Sequence, residues 1–146
     1  SEVDLVGVED MRKLHGQLAP DIQLMKAIPV EGEESIALAM EYAQGSDLLL
    51  LDTSRKGFPG VGATGFTHDW NVSRQIVESV QIPVILAGGL TPKNVEEAIQ
   101  AVKPWGVDSN TSTNKPGSRV EKDLGRIKEF VAAVQNSKYY TMDEGT

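Results

Sequence analysis

Short apolar runs alternate along this chain with longer segments in which apolar residues recur every three or four positions. Runs of the first kind predict strands, and the second spacing predicts amphipathic helices. The pattern therefore predicts five strands, at residues 3–6, 22–30, 48–51, 84–87 and 105–108. It also predicts five helices, at residues 11–18, 33–42, 69–79, 91–102 and 123–135. Asp69 and Thr91 are the expected N-caps of the third and fourth helices. The expected buried face of the fifth helix consists of Leu124, Ile127, Phe130, Val131 and Val134.

The regular alternation of strands and helices predicts an α/β fold with a parallel sheet and right-handed crossovers. Each strand–helix unit takes roughly 30 residues, the usual size of a βαβ repeat. Two architectures fit this pattern, a (β/α) barrel and an open doubly wound sheet. Residues 1–135 form the predicted domain. Residues 136–146 show no apolar period and form a predicted flexible C-terminal tail.

Composition narrows the range of partners. The chain of 146 residues carries a net charge of −7, which argues against nucleic acid and against an anionic membrane surface. No apolar run approaches the roughly 20 residues that cross a bilayer. The chain has no cysteine, which excludes disulfides and thiolate ligands, and its two histidines are too few for a histidine-rich metal site. We therefore expect no thiolate or histidine-rich metal site, and a cytoplasmic location is the default expectation.

The first candidate site residue is Asp52, which directly follows the four leucines of the third strand. A carboxylate at the carboxyl end of a buried parallel strand lies where α/β proteins keep their chemistry. Asp52 could act as a general acid or base, or it could be a loop aspartate satisfied by backbone amides. Asp108 also ends a strand, and there a structural hydrogen-bonding role is favoured over catalysis.

The second candidate site is an anion-binding end made of two neighbouring strand-to-helix loops. Gly88 and Gly89 end the fourth strand just before the Thr91 helix start, where backbone amides and the helix dipole favour an anion. The run Ser109 to Ser112, which includes Asn110 and Thr111, follows the next strand and adds hydroxyls and amides. The glycines could instead serve only a tight turn. The two loops together favour phosphate binding, as in the last loops of (β/α)8 barrels.

Four motifs occur in an order and spacing that resemble one enzyme family. They are LLLLD, GVGATGFTHDW, PVILAGGLTPKNVEEAI, and GVD followed by a polar loop and PG. Together they resemble the C-terminal part of phosphoribosylanthranilate isomerase, over about residues 3–134. The resemblance implies a (β/α)8 TIM barrel, of which only strands 4–8 are present. It also implies an Amadori rearrangement of a phosphoribosylated anthranilate in tryptophan biosynthesis, without metal or cofactor.

The resemblance also implies roles for individual residues. Asp52 corresponds to the general acid that opens the ribose ring, and Asp108 to the aspartate of the family's VDVSSG motif. The phosphorylated substrate would be held through its phosphate by the residues Gly88, Gly89, Asn110, Thr111 and Ser112. The loop containing Gly62, Thr64 and Gly65 would cover the substrate.

Three departures from the family pattern change the expectation. The family's general base is a cysteine, and this chain has none. The motifs begin at strand four, and 146 residues fall short of the roughly 200 of a compact barrel. The family's SSG is replaced by Asn110, Thr111 and Ser112. We therefore expect the chain alone to be inactive, with exposed sheet edges at residues 3–6 and 105–108 that favour a homo-oligomer.

Two alternatives remain open at this point. One is another phosphate-binding barrel enzyme that acts on a sugar phosphate, as an isomerase, epimerase or aldolase. Such enzymes usually carry a lysine, histidine or metal ligand at strand ends, which the visible motifs lack. The other is a non-catalytic module that binds a phosphorylated ligand.

Overall fold

The computed structural model describes residues 6–52 and 66–137, which form four strands and five α-helices. In chain order these are α1 (Val8–Gln17), β1 (Met25–Pro29), α2 (Glu34–Ala43), β2 (Leu48–Asp52), α3 (Phe66–Ser79), β3 (Val84–Ala87), α4 (Val95–Val102), β4 (Gly106–Val107) and α5 (Leu124–Gln135). A short 3₁₀ turn, Thr111–Thr113, lies between β4 and α5. Of the predicted first strand, residues 3–5 lie outside the described residues.

The four strands form one parallel sheet in the order β1-β2-β3-β4, which is also their order in the chain. A doubly wound sheet reverses its strand order at a switch point, and no reversal occurs among the described strands. With right-handed crossovers, a sequential order places the connecting helices on one face of the sheet. The described sheet therefore has the topology of an arc of a (β/α) barrel, as one of the two predicted architectures requires.

Burial alternates along β2 and shows which face the helices cover. Leu49 and Leu51 are fully buried, whereas Leu48, Leu50 and Asp52 are half-buried and point to the other face. The buried leucines join a core made with residues of the other strands and of α3 and α4. Its fully buried members include Ile28, Leu49, Leu51, Ile76, Leu86, Val95, Ile99 and Val102. The second face, on which Asp52 lies, is therefore left for a site.

Asp47 holds together the end of the sheet opposite the candidate site. Its carboxylate accepts a hydrogen bond from the Leu24 backbone N–H (2.7 Å) and lies 2.9 Å from the Nε2 atom of His15. The contact with His15, followed by the hydrogen bond from Leu24, lowers the pKa of Asp47. One side chain thus links α1 to the entries of β1 and β2.

Several predicted boundaries and one predicted face need correction. The strands predicted at 22–30 and 105–108 are shorter than expected and span Met25–Pro29 and Gly106–Val107. Helix α3 begins at Phe66, so Asp69 lies inside its first turn and is not its N-cap. An acidic residue is favourable in the first turn as well as at the cap, so the residue type alone did not fix the boundary. Leu124 and Val131, expected on the buried face of α5, are 66% and 46% exposed, because that side of α5 has no packing partner among the described residues.

The C-terminal helix, α5, begins and ends within one residue of the bounds that its sequence predicts. Asp123 is the N-cap of α5, and its side chain accepts a hydrogen bond from the Arg126 N–H at 3.0 Å. After the helix, Ser137 is buried, and residues 138–146 of the predicted tail lie outside the described residues. None of the helices in the described ranges has the length and apolar character needed to span a membrane.

Candidate active site

The carboxyl ends of β2, β3 and β4 open onto one cavity of about 550 Å³. Asp52 pairs in register with Ala87, and the Asp108 N–H donates to the Leu86 carbonyl (2.9 Å), so the two aspartates end neighbouring ladders at the same level. Two strand spacings separate them, which places their backbones roughly 10 Å apart. The described lining residues are Leu50, Asp52, Ala87, Gly88, Gly89, Leu90, Thr91, Asp108, Ser109, Asn110, Thr111 and Ser112.

The first loop of the cavity, residues 88–91, depends on its two glycines. Gly88 and Gly89 have φ angles of 88° and 66°, a region that other residue types adopt only with strain. Asn94 fixes this loop from the following turn. Its Oδ1 accepts a hydrogen bond from the Thr91 N–H (2.8 Å), and its Nδ2 donates to the Gly89 carbonyl (3.0 Å).

The prediction that Thr91 is the N-cap of α4 is wrong, because α4 begins at Val95 with Asn94 at the cap position, and Thr91 lies at the start of the turn before the helix. Its Oγ1 accepts from the Lys93 N–H at 3.2 Å, and its carbonyl accepts from the N–H groups of Asn94 and Val95. The reciprocal bonds of Thr91 and Asn94 resemble a capping box, with asparagine in the position usually held by glutamate or glutamine. The regular helix itself begins at Val95.

The second loop, residues 109–113, is built around a pair of serines. The Oγ atoms of Ser109 and Ser112 lie 2.6 Å apart, and Ser109 Oγ also donates to the Leu90 carbonyl at 3.3 Å. The second contact connects the two loops directly. Because Ser109 contacts both Ser112 and the first loop, it contributes to the site; the sequence indicated it as a member of the polar run after the last strand, without this connecting role.

Backbone amides are the donors that this cavity offers to an anion. The N–H groups of Gly89, Asn110, Thr111 and Ser112 donate no hydrogen bond to any described residue, although all four residues line the cavity. Adjacent unpaired amides at a 3₁₀ turn form a local positive end. In a chain of net charge −7, such local dipoles are the physical basis on which an anion could bind here.

Lys122 supports the second loop from outside the cavity lining. Its Nζ donates to the Asn110 carbonyl (2.8 Å), to Asn110 Oδ1 (2.9 Å) and to Thr113 Oγ1 (3.1 Å). Sequence reasoning missed this lysine, because twelve residues separate it from Asn110 and no periodic pattern connects them.

The structure brings most of the predicted site residues together. Those found around the one cavity are Asp52, Gly88, Gly89, Asp108, Asn110, Thr111 and Ser112. The roles assigned to them remain predictions. Gly62, Thr64 and Gly65, predicted to cover the substrate, lie outside the described residues. In residues 6–52 and 66–137, no cluster of three histidine or acidic side chains is placed to hold a metal ion.

Comparisons with known proteins give a consistent result. The family model described as N-(5'phosphoribosyl)anthranilate (PRA) isomerase matches residues 2–133. The N-(5'-phosphoribosyl)anthranilate isomerase of Methanocella arvoryzae is 42% identical over an alignment of 138 residues that covers 86% of this chain and 62% of that protein. The enzyme of the same name from Haloferax volcanii is 40% identical over 135 residues, covering 88% of this chain and 59% of the relative. The chain thus spans about three fifths of these relatives.

Solved structures of enzymes with the same name share the fold. The crystal structure of phosphoribosyl anthranilate isomerase from Thermotoga maritima superposes with a TM-score of 0.70 at 29% identity, covering 88% of this chain and 57% of that one. The enzyme from Thermococcus kodakaraensis gives a TM-score of 0.63 at 34% identity, with the same coverage. The predicted TIM-barrel type of fold is confirmed, and the sequential four-stranded sheet is compatible with part of such a barrel.

Proposed function

Because this chain belongs to the phosphoribosylanthranilate isomerase family, we propose that it supplies the general acid and the phosphate-binding loops for that family's reaction. The reaction is the Amadori rearrangement of phosphoribosylanthranilate in tryptophan biosynthesis. The observation that carries the proposal is that Asp52 and the two predicted anion-binding loops line one cavity. Family membership supports the choice of reaction, and the cavity supports the choice of residues.

In the proposed reaction Asp52 acts first. Its protonated carboxyl gives a proton to the ring oxygen of the ribose, and the C1–O bond breaks while the anthranilate nitrogen lone pair forms a C=N bond. Loss of the C2 proton then gives an enolamine, which becomes the 2-ketose product when a proton is returned to C1 and the C2 hydroxyl gives up its proton. The first step needs an acid beside the sugar ring, and Asp52 lies on the cavity face of the sheet next to Leu50.

The second proton transfer needs a base, which the proposal leaves unassigned. Asp52 and Asp108 are the two ionisable residues of the described cavity lining. We assign Asp108 a hydrogen-bonding role, since its backbone ends the β4 ladder between the acid and the second loop. Gly62, Thr64 and Gly65 would belong to a loop that covers the substrate.

The phosphate of the substrate would bind at the opposite side of the cavity from Asp52. The two loops that line this side carry four N–H groups that donate to no described residue, those of Gly89, Asn110, Thr111 and Ser112. Phosphate held by several fixed amides anchors the sugar, so that the ring oxygen is presented to a carboxyl on the neighbouring strand. Binding energy from this remote group would then be used to orient the reacting atoms.

The family match favours this reaction over a different sugar-phosphate isomerase, epimerase or aldolase. The described lining contains no lysine or histidine, which agrees with the same choice. A non-catalytic phosphate-binding module remains the competing proposal, and an activity measurement separates the two.

A chimera provides that measurement. Residues 6–137 of this chain would replace the structurally equivalent part of the Thermotoga maritima enzyme, whose remaining segment supplies the rest of the barrel. We expect the folded chimera to convert phosphoribosylanthranilate, and Asp52→Asn to abolish that activity while phosphate binding persists. A folded chimera that binds phosphate but gives no turnover would favour the non-catalytic module. A folded chimera that binds no phosphate would refute the phosphate site.

We further propose self-association through the free sheet edges and a cytoplasmic location. Among the described residues β1 and β4 each have one neighbouring strand, so one row of backbone groups on each is available for pairing. The exposed side chain of Met25 on β1 adds an apolar contact. Light scattering after gel filtration is expected to give at least twice the monomer mass of 15.8 kDa, and a monodisperse monomer would refute the proposal.

A further inference from the structure

The ammonium group of Lys122 is held on the outer side of the second loop. A lysine ammonium has three N–H donors, and here all three have acceptors: the Asn110 carbonyl, Asn110 Oδ1 and Thr113 Oγ1. The bond to the Asn110 carbonyl is the shortest, at 2.8 Å. The lysine therefore fixes both the backbone and the side chain of Asn110 at the start of the 3₁₀ turn.

The contact with the Asn110 carbonyl has a consequence on the other side of the same peptide unit. That carbonyl and the N–H of Thr111 belong to one trans peptide and point in opposite directions. Since Lys122 lies on the carbonyl side, the Thr111 N–H points away from the lysine, and Thr111 lines the cavity. A cation on the carbonyl oxygen polarises the amide and strengthens its N–H as a donor.

The side chain of Asn110 is oriented by the same contact. A lysine can donate only to the oxygen of the amide, so the bond at 2.9 Å assigns Oδ1 to the lysine side. The Nδ2 donors are then left to contact a ligand or solvent. Both polar groups of the Asn110–Thr111 segment thus present donors away from Lys122.

A second link ties the same lysine to the helix that follows. Asn114 and Lys122 form an isolated antiparallel bridge, and the Asp123 N–H donates to the Thr113 carbonyl at 2.8 Å. Asp123 is also the N-cap of α5. The loop is therefore fastened at its end to a helix start, and Lys122 adds a charged contact at its beginning.

We propose that Lys122 is a positioning residue that fixes and polarises the Asn110–Thr111 peptide, so that its N–H donates to an anion in the cavity. The inference rests on the proposed function, in which that anion is the substrate phosphate. Lys122 itself does not contact the ligand. Its positive charge acts on the cavity through the polarised peptide. This effect favours anion binding in a chain that is acidic and whose described cavity lining contains no cation.

The test is a titration of the whole chain with inorganic phosphate, followed through the backbone amide resonances in ¹H–¹⁵N NMR spectra. Lys122→Met removes the charge and keeps the stem, Lys122→Gln keeps a neutral donor, and Lys122→Arg keeps the charge. Lys128→Met is the matched control, because Lys128 is an exposed lysine of α5 for which the described residues provide no polar partner.

In the wild-type chain we expect phosphate to shift the amides of Gly89, Thr111 and Ser112. Lys122→Met and Lys122→Gln should weaken phosphate binding roughly fivefold, a partly exposed charge-assisted contact being worth less than a buried one. Lys122→Arg and Lys128→Met should stay within about twofold of wild type. Equal affinities for Lys122→Met and Lys128→Met would overturn the proposal, as would rescue by glutamine as complete as rescue by arginine.

A second reading of the same spectra separates this proposal from the proposed function. Without phosphate, the resonance of the Thr111 amide proton should move upfield in Lys122→Met, because the peptide loses its polarisation whether or not a ligand is bound. The same resonance should stay in place in Lys128→Met. If wild type shows no response to phosphate, the phosphate site of the proposed function fails, and the ligand-free Thr111 resonance still decides on Lys122. An unmoved Thr111 resonance in a folded Lys122→Met chain overturns the proposal. The arginine and glutamine variants give the same reading if the methionine variant does not fold.

Discussion

Replacement of Asn94 by alanine tests whether its side chain both fixes the first loop of the cavity and stabilises the turn before α4. The substitution removes the acceptor of the Thr91 N–H (2.8 Å) and the donor to the Gly89 carbonyl (3.0 Å). The first bond is partly buried, so its loss leaves an N–H without a full replacement by water. The second is exposed, and water replaces it at lower cost.

The expected loss of stability follows from these two contacts. A capping interaction contributes about 1 kcal/mol, and an exposed hydrogen bond contributes about 0.5 kcal/mol. Their sum of about 1.5 kcal/mol corresponds to a fall in Tm of roughly 6 °C for a domain of this size. Asn94→Asp keeps the acceptor and adds a charge that the helix start favours, so it should lose less than half as much stability. It also places a carboxylate against the Gly89 carbonyl.

The order of the two variants in thermal stability should therefore not be their order in phosphate affinity. In thermal unfolding followed by circular dichroism, Asn94→Ala should be the less stable variant. In a phosphate titration, Asn94→Asp should bind at least as weakly as Asn94→Ala, because repulsion at the Gly89 carbonyl shifts the loop. Asn136→Ala is the control, since Asn136 is an exposed helix C-cap residue. If Asn94→Ala changed Tm no more than Asn136→Ala, the account of the loop would be refuted.

Three further predictions follow from other contacts. Gly89→Ala should cost about 1–2 kcal/mol and weaken phosphate binding, because the φ of 66° strains any residue with a Cβ; an unchanged urea midpoint would contradict this. The contacts with His15 and the Leu24 N–H lower the pKa of Asp47 below 3.8, so their stabilisation is present above about pH 4 and is lost as pH falls through the lowered folded pKa. The wild-type chain should then lose more stability between pH 6 and pH 3 than Asp47→Asn, and equal losses in urea unfolding would contradict this. Asp123→Ala should cost about 1 kcal/mol through loss of the α5 cap, which thermal unfolding would detect.

The arrangement of the sheet could be read from the sequence because its determinants are local. Four leucines in a row favour a strand buried on both faces or a helix core, and the short run between turn residues selects the strand. In the structure one face of that strand is only half-buried, at Leu48 and Leu50. The carboxyl ends of parallel strands meet at one edge, so residues that end β2, β3 and β4 were bound to converge. This is why Asp52, Gly88 and Asp108 could be placed together without a structure.

Other features depend on contacts that the sequence does not display. Leu124 and Val131 continue a helical period, yet which side of α5 is covered depends on the neighbouring elements. The start of α3 at Phe66 depends on backbone hydrogen bonding in competition with the cap preference of Asp69. Lys122 meets Asn110 only because the chain returns through an isolated bridge, and no spacing rule predicts that return.

The comparison of Asp52→Asn with Asp108→Asn in the chimera tests the central claim most directly. Both variants replace one carboxyl group of the same cavity by an amide, at the ends of different strands. Loss of a general acid should lower kcat for phosphoribosylanthranilate by about 10²–10⁴-fold in Asp52→Asn with KM nearly unchanged. Asp108→Asn should lower kcat by roughly tenfold or less, as expected for a hydrogen-bonding residue. A folded Asp52→Asn chimera that keeps more than about a tenth of its kcat would contradict the assignment of Asp52 as the acid.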